Sequence, residues 1–121
     1  LLNKVFGTNY KIVGDHYSKS ILNPVVLVNY KGVDIILQYN FYDWQIMVKS
    51  PKALILEDLD FYEATGDYFY YQGIPSEYQF EKYSETNNKN FAIDIYERDD
   101  DALMDVYGFM IMLKRIIDKE A

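Results

Sequence analysis

The chain has 121 residues, half of them hydrophobic, with one histidine, no cysteine and a formal net charge of −7. This length suits one domain over residues 1–121, and the apolar fraction is enough for a core. The absence of cysteine excludes a disulfide framework, a thiol nucleophile and Cys-based metal sites, and the acidic balance argues against direct binding of nucleic acid.

The N-terminal half contains the strongest strand signals. Residues 4–13 predict a strand around Gly7, and residues 15–24, which are polar and end at Pro24, predict a loop or a short helix. The β-branched runs 25–31 and 33–40 flank Lys31-Gly32 and predict a hairpin, because glycine readily adopts a positive φ. In the second run the odd-numbered residues predict a core face and the even-numbered ones a mixed face.

The middle of the chain predicts further strands. Residues 41–49 alternate as a strand with Trp44 on its core face, and Ser50-Pro51 ends it. Residues 52–64 fit either a helix or a strand, and the strand is slightly favoured. The remaining predicted elements before the last helix are strands at 67–72, 77–83 and 91–97, a loop at 73–75 and a turn at 87–90.

The C-terminal residues predict a helix. Asp99-Asp100-Asp101 can cap its N-terminus, and apolar residues then recur at helical spacing through residue 119. Together these signals predict an α+β fold: an antiparallel β-sheet of about five to seven strands with the C-terminal helix packed on one face.

Charge is unevenly distributed along the chain. Residues 1–56 carry a net charge of +3, residues 57–121 carry −10, and the stretch 57–105 alone carries −11. Seven of the thirteen tyrosines lie in that acidic stretch. Such a region can be a solvated face that keeps the protein in solution, or a docking surface for a basic partner, because tyrosine gives large, rigid contacts and acidic residues attract cations.

The residues that could perform chemistry do not form a recognisable set. His16 follows Asp15 in a polar stretch without a nucleophile elbow, and a surface role is favoured. Neither carboxylate cluster, at 57–60 or at 99–105, matches an EF-hand loop, although an adventitious cation site at one of them is left open. The scattered glycines form no phosphate-binding loop. The sequence therefore predicts no enzyme activity, no cofactor and no metal site.

The favoured function is an acidic protein-binding module, in its strongest version a bacterial, cytoplasmic immunity protein that covers the active site of a basic toxin nuclease. The predicted partner-binding residues lie in the least regular acidic segment, where binding residues tend to collect: Glu57, Asp58, Asp60, Tyr62, Asp67, Tyr68, Tyr70 and Tyr71.

Other functions stay open from the sequence. The acidic face could imitate DNA phosphates and inhibit a phage-defence or DNA-binding protein. The chain could be a structural or assembly subunit that uses Trp44 or the helix methionines, and a homodimer is compatible with it. A small-ligand protein or enzyme with carboxylates in a pocket is a further alternative. No apolar run is long enough to span a bilayer, and the chain starts with Leu1, so a preceding segment is left open.

Overall fold

Six strands and two helices make up the part of the chain that the computed structural model describes, namely residues 2–18, 21–40, 43–56, 80–96 and 102–120. In chain order they are α1 (Leu2–Phe6), β1 (Lys11–Ser18), β2 (Ile21–Tyr30), β3 (Val33–Asn40), β4 (Asp43–Lys49), β5 (Glu81–Lys82), β6 (Asn90–Tyr96) and α2 (Ala102–Glu120). The strands form one sheet in the order β1-β2-β3-β4-β6-β5. All neighbours are antiparallel except β5 and β6, so the predicted α+β class is confirmed.

The predicted hairpin at Lys31-Gly32 joins β2 to β3. Both turn residues have a positive φ, 50° at Lys31 and 85° at Gly32, as a type I′ turn requires. This turn matches the right-handed twist of the strands and sets the register, in which Tyr30 pairs with Val33 and Val26 with Leu37. The register decides which residues of β3 lie on each face of the sheet.

One face of the sheet, called here the helix face, shares a buried apolar cluster with both helices. Val33, Ile35 and Leu37 of β3, which belong to its predicted core face, are part of this cluster. Trp44, half-buried, packs against it as predicted. Phe6 of α1 is buried in the same cluster, and its ring lies 5.2 Å from that of Tyr30. The contribution of α2 recurs at helical spacing and consists of Val106, Phe109, Met110, Leu113, Ile116 and Ile117.

The opposite face of the sheet, called here the second face, carries a buried apolar cluster of its own. The even-numbered residues of β3 predict a mixed face, yet Ile36 and Gln38 are fully buried. The apolar cluster on this side consists of Val25, Leu27, Ile36, Met47, Phe80 and Ala92. Strands buried on both faces carry near-continuous apolar runs, which explains the weak alternation of 33–37.

Two N-terminal predictions are wrong. The predicted strand over 4–13 overlaps α1, which ends at Phe6, and β1 begins only at Lys11. The predicted loop or short helix at 15–24 consists instead of the end of β1 and the start of β2. Pro24 suggested a break in the chain, but it lies in β2 and pairs with Asp15 of β1. The pairing of β2 with β3 on its other side starts only at Val26. A proline is tolerated where a strand needs no N–H toward a second neighbour.

The remaining predictions have mixed outcomes. The structure confirms the strands at 41–49 and 91–97 and the C-terminal helix, within two residues at each end. Residues 51–56 form neither a helix nor a strand, although a strand was the favoured prediction for this stretch. The strand predicted at 77–83 is represented by β5, which has two residues. The turn predicted at 87–90 is displaced, since Ser84 and Asn87 close a turn three residues earlier and Asn90 already begins β6. The predictions for 57–79 and the cap at 99–101 lie outside the described residues.

Replacing Leu113 of α2 by alanine tests how much stability the shared core supplies. Leu113 is fully buried, so we expect the free energy of unfolding to fall by about 2–5 kcal/mol, through lost burial and a residual cavity. Urea denaturation measures this change. The control, Arg115→Ala, lies two residues away on the exposed side of α2 and should change stability by at most about 0.5 kcal/mol. Similar losses in both variants would contradict the assignment of Leu113 to the core.

Candidate functional site

The segment that contains the predicted partner-binding residues lies between two anchored positions. Glu57, Asp58, Asp60, Tyr62, Asp67, Tyr68, Tyr70 and Tyr71 all lie outside the described residues. Immediately before the segment, Leu56 is buried in the helix-face cluster, and its N–H donates a hydrogen bond to Tyr83 Oη at 3.2 Å. Immediately after it, Phe80 is buried in the second-face cluster. The chain therefore leaves the described sheet on one face and returns on the other.

The other residues singled out from the sequence have these positions. His16 lies in β1 opposite Asn23, and its side chain is outside the described part of the structure, as are the clusters at 57–60 and 99–101. Met110 is fully buried and Met112 packs against the same cluster, which agrees with methionine as core filler. Among the residues described, no group of three or more His, Cys, Asp or Glu side chains could hold a metal ion.

One end of the sheet, called here the basic end, gathers seven of the twelve basic residues. Four parts of the chain meet there: the hairpin turn, the end of β4, the start of β6 and the last turns of α2. The strand register and the hydrogen bond from Ser50 N–H to the Lys89 carbonyl place the ends of the strands together, and the bond from Lys31 to Asp118 places α2 beside the turn. Acidic residues share this end as well, namely Asp34, Asp118 and Glu120, together with Glu81 and Glu85 beside the start of β6. The bases are Lys31, Lys49, Lys52, Lys89, Lys114, Arg115 and Lys119.

Asp118 is the centre of a hydrogen-bonded cluster at the basic end. Its carboxylate accepts a 2.7 Å bond from Lys31 Nζ and a 2.6 Å bond from Tyr30 Oη, and Lys114 Nζ lies 3.5 Å away. The hydrogen bond from Lys31, followed by the one from Tyr30, lowers the pKa of Asp118 from 3.8 to about 2. The same Asp118 contact raises the pKa of Lys31. These bonds tie the β2–β3 turn to the last turn of α2.

A small pocket lies beside this cluster. It has a volume of about 60 Å³, with Val33, Leu54 and Ile117 as its apolar lining and Lys31 and Lys52 among its polar residues. This is room for about two water molecules, whereas sites for small organic ligands enclose about 300–1,000 Å³. The pocket is therefore too small to hold a substrate or cofactor.

A block of polar residues occupies three central strands on the second face. Gln38 of β3 pairs directly with Gln45 of β4, and Gln45 pairs with Asp94 of β6. In the next row, Asn40 pairs with Asp43, and Asp43 with Tyr96. We call these six residues the polar block; every one of them carries a side-chain oxygen: Gln38, Asn40, Asp43, Gln45, Asp94 and Tyr96.

The two glutamines of the polar block are buried beside apolar neighbours. Gln38 is fully buried and Gln45 is 3% exposed, next to Ile36 and Met47 of the second-face cluster. The Oε1 atom of Gln45 accepts no hydrogen bond within the described structure. A buried acceptor without a donor costs about 1–3 kcal/mol, so native proteins retain such groups for a reason.

Sequence reasoning missed the polar block because each strand was read alone. The even-numbered face of 33–40 ends in Gln38 and Asn40, and the odd-numbered face of 41–49 contains Asp43 and Gln45. Overlaying the two strands as an antiparallel pair would have placed Gln38 against Gln45 and Asn40 against Asp43. The signal was present, but it required the register.

Comparison of the chain with protein-family models, with curated proteins and with solved structures found no match in any of the three. Neither described helix is long and apolar enough to cross a membrane.

Replacing Lys31 by methionine tests the cause of the lowered pKa of Asp118. We expect the pKa of Asp118 to rise from about 2 toward its ordinary value of 3.8, because the largest stabilising hydrogen bond is lost. Carboxyl-detected NMR titration measures it. The control Lys89→Met removes an equal charge elsewhere at the basic end. If the pKa of Asp118 rose equally in the two variants, the cause would be the combined charge of the basic end and not the direct hydrogen bond from Lys31.

The lowered pKa also sets the pH range in which this cluster stabilises the fold. The folded-state pKa lies below the unfolded value, so the full contribution is present above about pH 4. It is lost as pH falls through about 2. Thermal unfolding of wild type and Asp118→Asn across this range should therefore give melting temperatures that differ at neutral pH and converge in acid, whereas the exposed control Glu85→Gln should show no such convergence.

Proposed function

We propose that the protein is an acidic binding module, of the immunity or inhibitor kind, that neutralises a basic protein such as a toxin nuclease by covering its active site. One observation carries the proposal: residues 57–79 contain six acidic residues and five tyrosines and no lysine, arginine or histidine. A nuclease that binds phosphates has a basic cleft, and acidic residues mixed with tyrosine complement such a cleft in charge and in contact area.

The way this segment joins the fold supports the proposal. Leu56 and Phe80, on either side of it, are both buried, one in each apolar cluster. Binding residues commonly lie on connections that a rigid scaffold positions, because anchoring the ends reduces the entropy lost on binding. The most central strands, β3 and β4, form such a scaffold.

Charge favours contact through the segment itself. A basic partner is attracted by the net negative charge of residues 57–79 and repelled by the exposed lysines elsewhere in the chain. In this proposal the protein acts in the cytoplasm, where a toxin nuclease meets its nucleic acid substrate.

The experiment first identifies and then measures the partner. Wild-type protein is used to capture partners from a lysate of the source cells at low and high salt, and the retained protein is purified. The proposal requires that this partner is basic, that it degrades nucleic acid, and that stoichiometric addition of the protein blocks the degradation. A partner with no such activity, or one that stays active when bound, would overturn the proposal.

Charge reversal then tests the segment itself. We expect Asp58→Lys/Asp60→Lys/Asp67→Lys to lower the association rate constant by about tenfold or more at low salt, and by less at high salt, because steering is screened. Stopped-flow or surface plasmon resonance measures the rate. The control Glu81→Lys/Glu85→Lys/Glu120→Lys reverses three exposed charges outside the segment and should have a much smaller effect. Equal losses in both triple variants would assign the effect to net charge alone.

A further inference from the structure

Two buried glutamines lie opposite each other in the middle of the sheet. Gln38 of β3 and Gln45 of β4 occupy directly paired positions on the second face, next to the apolar pair of Ile36 and Met47. The Oε1 atom of Gln45 accepts no hydrogen bond within the described structure. Replacing a buried polar pair by apolar residues of similar shape is often neutral or stabilising, so a gain in stability does not explain why the two amides are present.

The connection between β3 and β4 does not explain their register. Asn40 pairs with Asp43, so the two residues between them in the chain are Phe41 and Tyr42. Two-residue hairpin turns favour glycine, asparagine and aspartate, because at least one central residue has a positive φ. A slip of the strands by two residues would centre the turn on Asn40-Phe41 or on Tyr42-Asp43, and each of these pairs contains a favoured residue. The register is therefore specified within the strands.

Packing on the helix face accepts such a slip. A slip by one residue would turn every side chain of β4 to the other face, whereas a slip by two residues retains both faces. Leu37 pairs with Ile46, and after a slip by two residues it would pair with Trp44 or with Val48. All four residues belong to the helix-face cluster or pack against it, so apolar burial alone distinguishes the three registers poorly.

The second face distinguishes the three registers. A slip in one direction would place Gln45 opposite Ile36, and a slip in the other direction would place Gln38 opposite Met47. Each slip thus sets one buried amide against an apolar side chain, where the loss of its hydration is poorly compensated. Only the observed register pairs the two amides with each other.

We propose that the buried pair of Gln38 and Gln45 determines the register of β3 against β4, at a cost in stability. A single buried amide fixes the register of coiled coils on the same principle. The pairing of Asp34 with Lys49 favours the same register, but Lys49 is exposed, and exposed opposite charges contribute little. Because β6 pairs with β4 and β5 pairs with β6, the two amides also position these strands relative to β1 and β2. The pair lies outside the acidic segment, so its role is independent of the proposed function.

Moving one amide tests this role without changing the composition of the chain. Gln45→Met/Met47→Gln leaves position 38 opposite an apolar residue in the observed register and opposite an amide after a slip by two residues. We expect the population of the slipped register to rise at least tenfold over wild type. Cross-strand NOEs measure a major slipped state, and saturation-transfer NMR measures a minor one.

The matched control for this variant is Ile36→Met/Met47→Ile. It exchanges two apolar residues of the neighbouring row without moving an amide, and it should keep the single observed register. A relocated amide that leaves the observed register as the only one would overturn the proposal, as would an equal rise of the slipped register in the control.

Removing both amides tests their cost, and it decides the question if the relocated variant does not fold. Gln38→Leu/Gln45→Leu should melt at or above the temperature of wild type, because no buried amide remains in the pair, and it should also populate a slipped register at least tenfold more than wild type. The single variant Gln38→Leu leaves Gln45 beside an apolar residue and should melt several degrees lower. Thermal unfolding followed by circular dichroism measures the melting temperatures, and NMR measures the registers. A double variant that melts below wild type, or that keeps one register, would overturn the proposal.

Discussion

The apolar cluster between α2 and the helix face is the constraint on which the rest of the structure depends. Six residues of α2 are buried with the inward residues of β3, β4 and β6, and Phe6 of α1 is part of the same cluster. Because burial of apolar surface is the dominant favourable contribution to folding, this cluster fixes which face of each strand points inward. The Asp118 cluster then ties the last turn of α2 to the β2–β3 turn, outside the core.

Fixing the helix face also determines what lies on the second face. Side chains alternate along a strand, so the residues between the inward ones lie on the face opposite the helices. These are Ile36, Gln38, Gln45 and Met47. Apolar residues there are readily explained by burial, whereas two buried glutamines are not. The polar block therefore arises on a surface that packing alone would have filled with apolar residues.

Much of the fold could be predicted from the sequence where one physical signal dominates. Lys31-Gly32 between β-branched runs specifies a tight turn, and the helical recurrence from Val106 to Ile117 specifies α2. The failures come from competing signals: Pro24 reads as a break, although a strand paired on one side accommodates it. The candidate sites were harder to predict. The polar block depends on register between strands, and the acidic segment was recognised only through its composition, which identifies a type of partner but no geometry.

Pro24 and the pairing around it have a consequence for the dynamics of the molecule. From Ile21 to Val25 the ribbon of β1 and β2 pairs outside the main sheet, since β3 joins only at Val26. A two-stranded ribbon is marginally stable by itself, so its amides should exchange with solvent through local opening, while those of β3 and β4 require a larger unfolding event. The fold thus combines a slowly exchanging centre with a peripheral arm that opens independently.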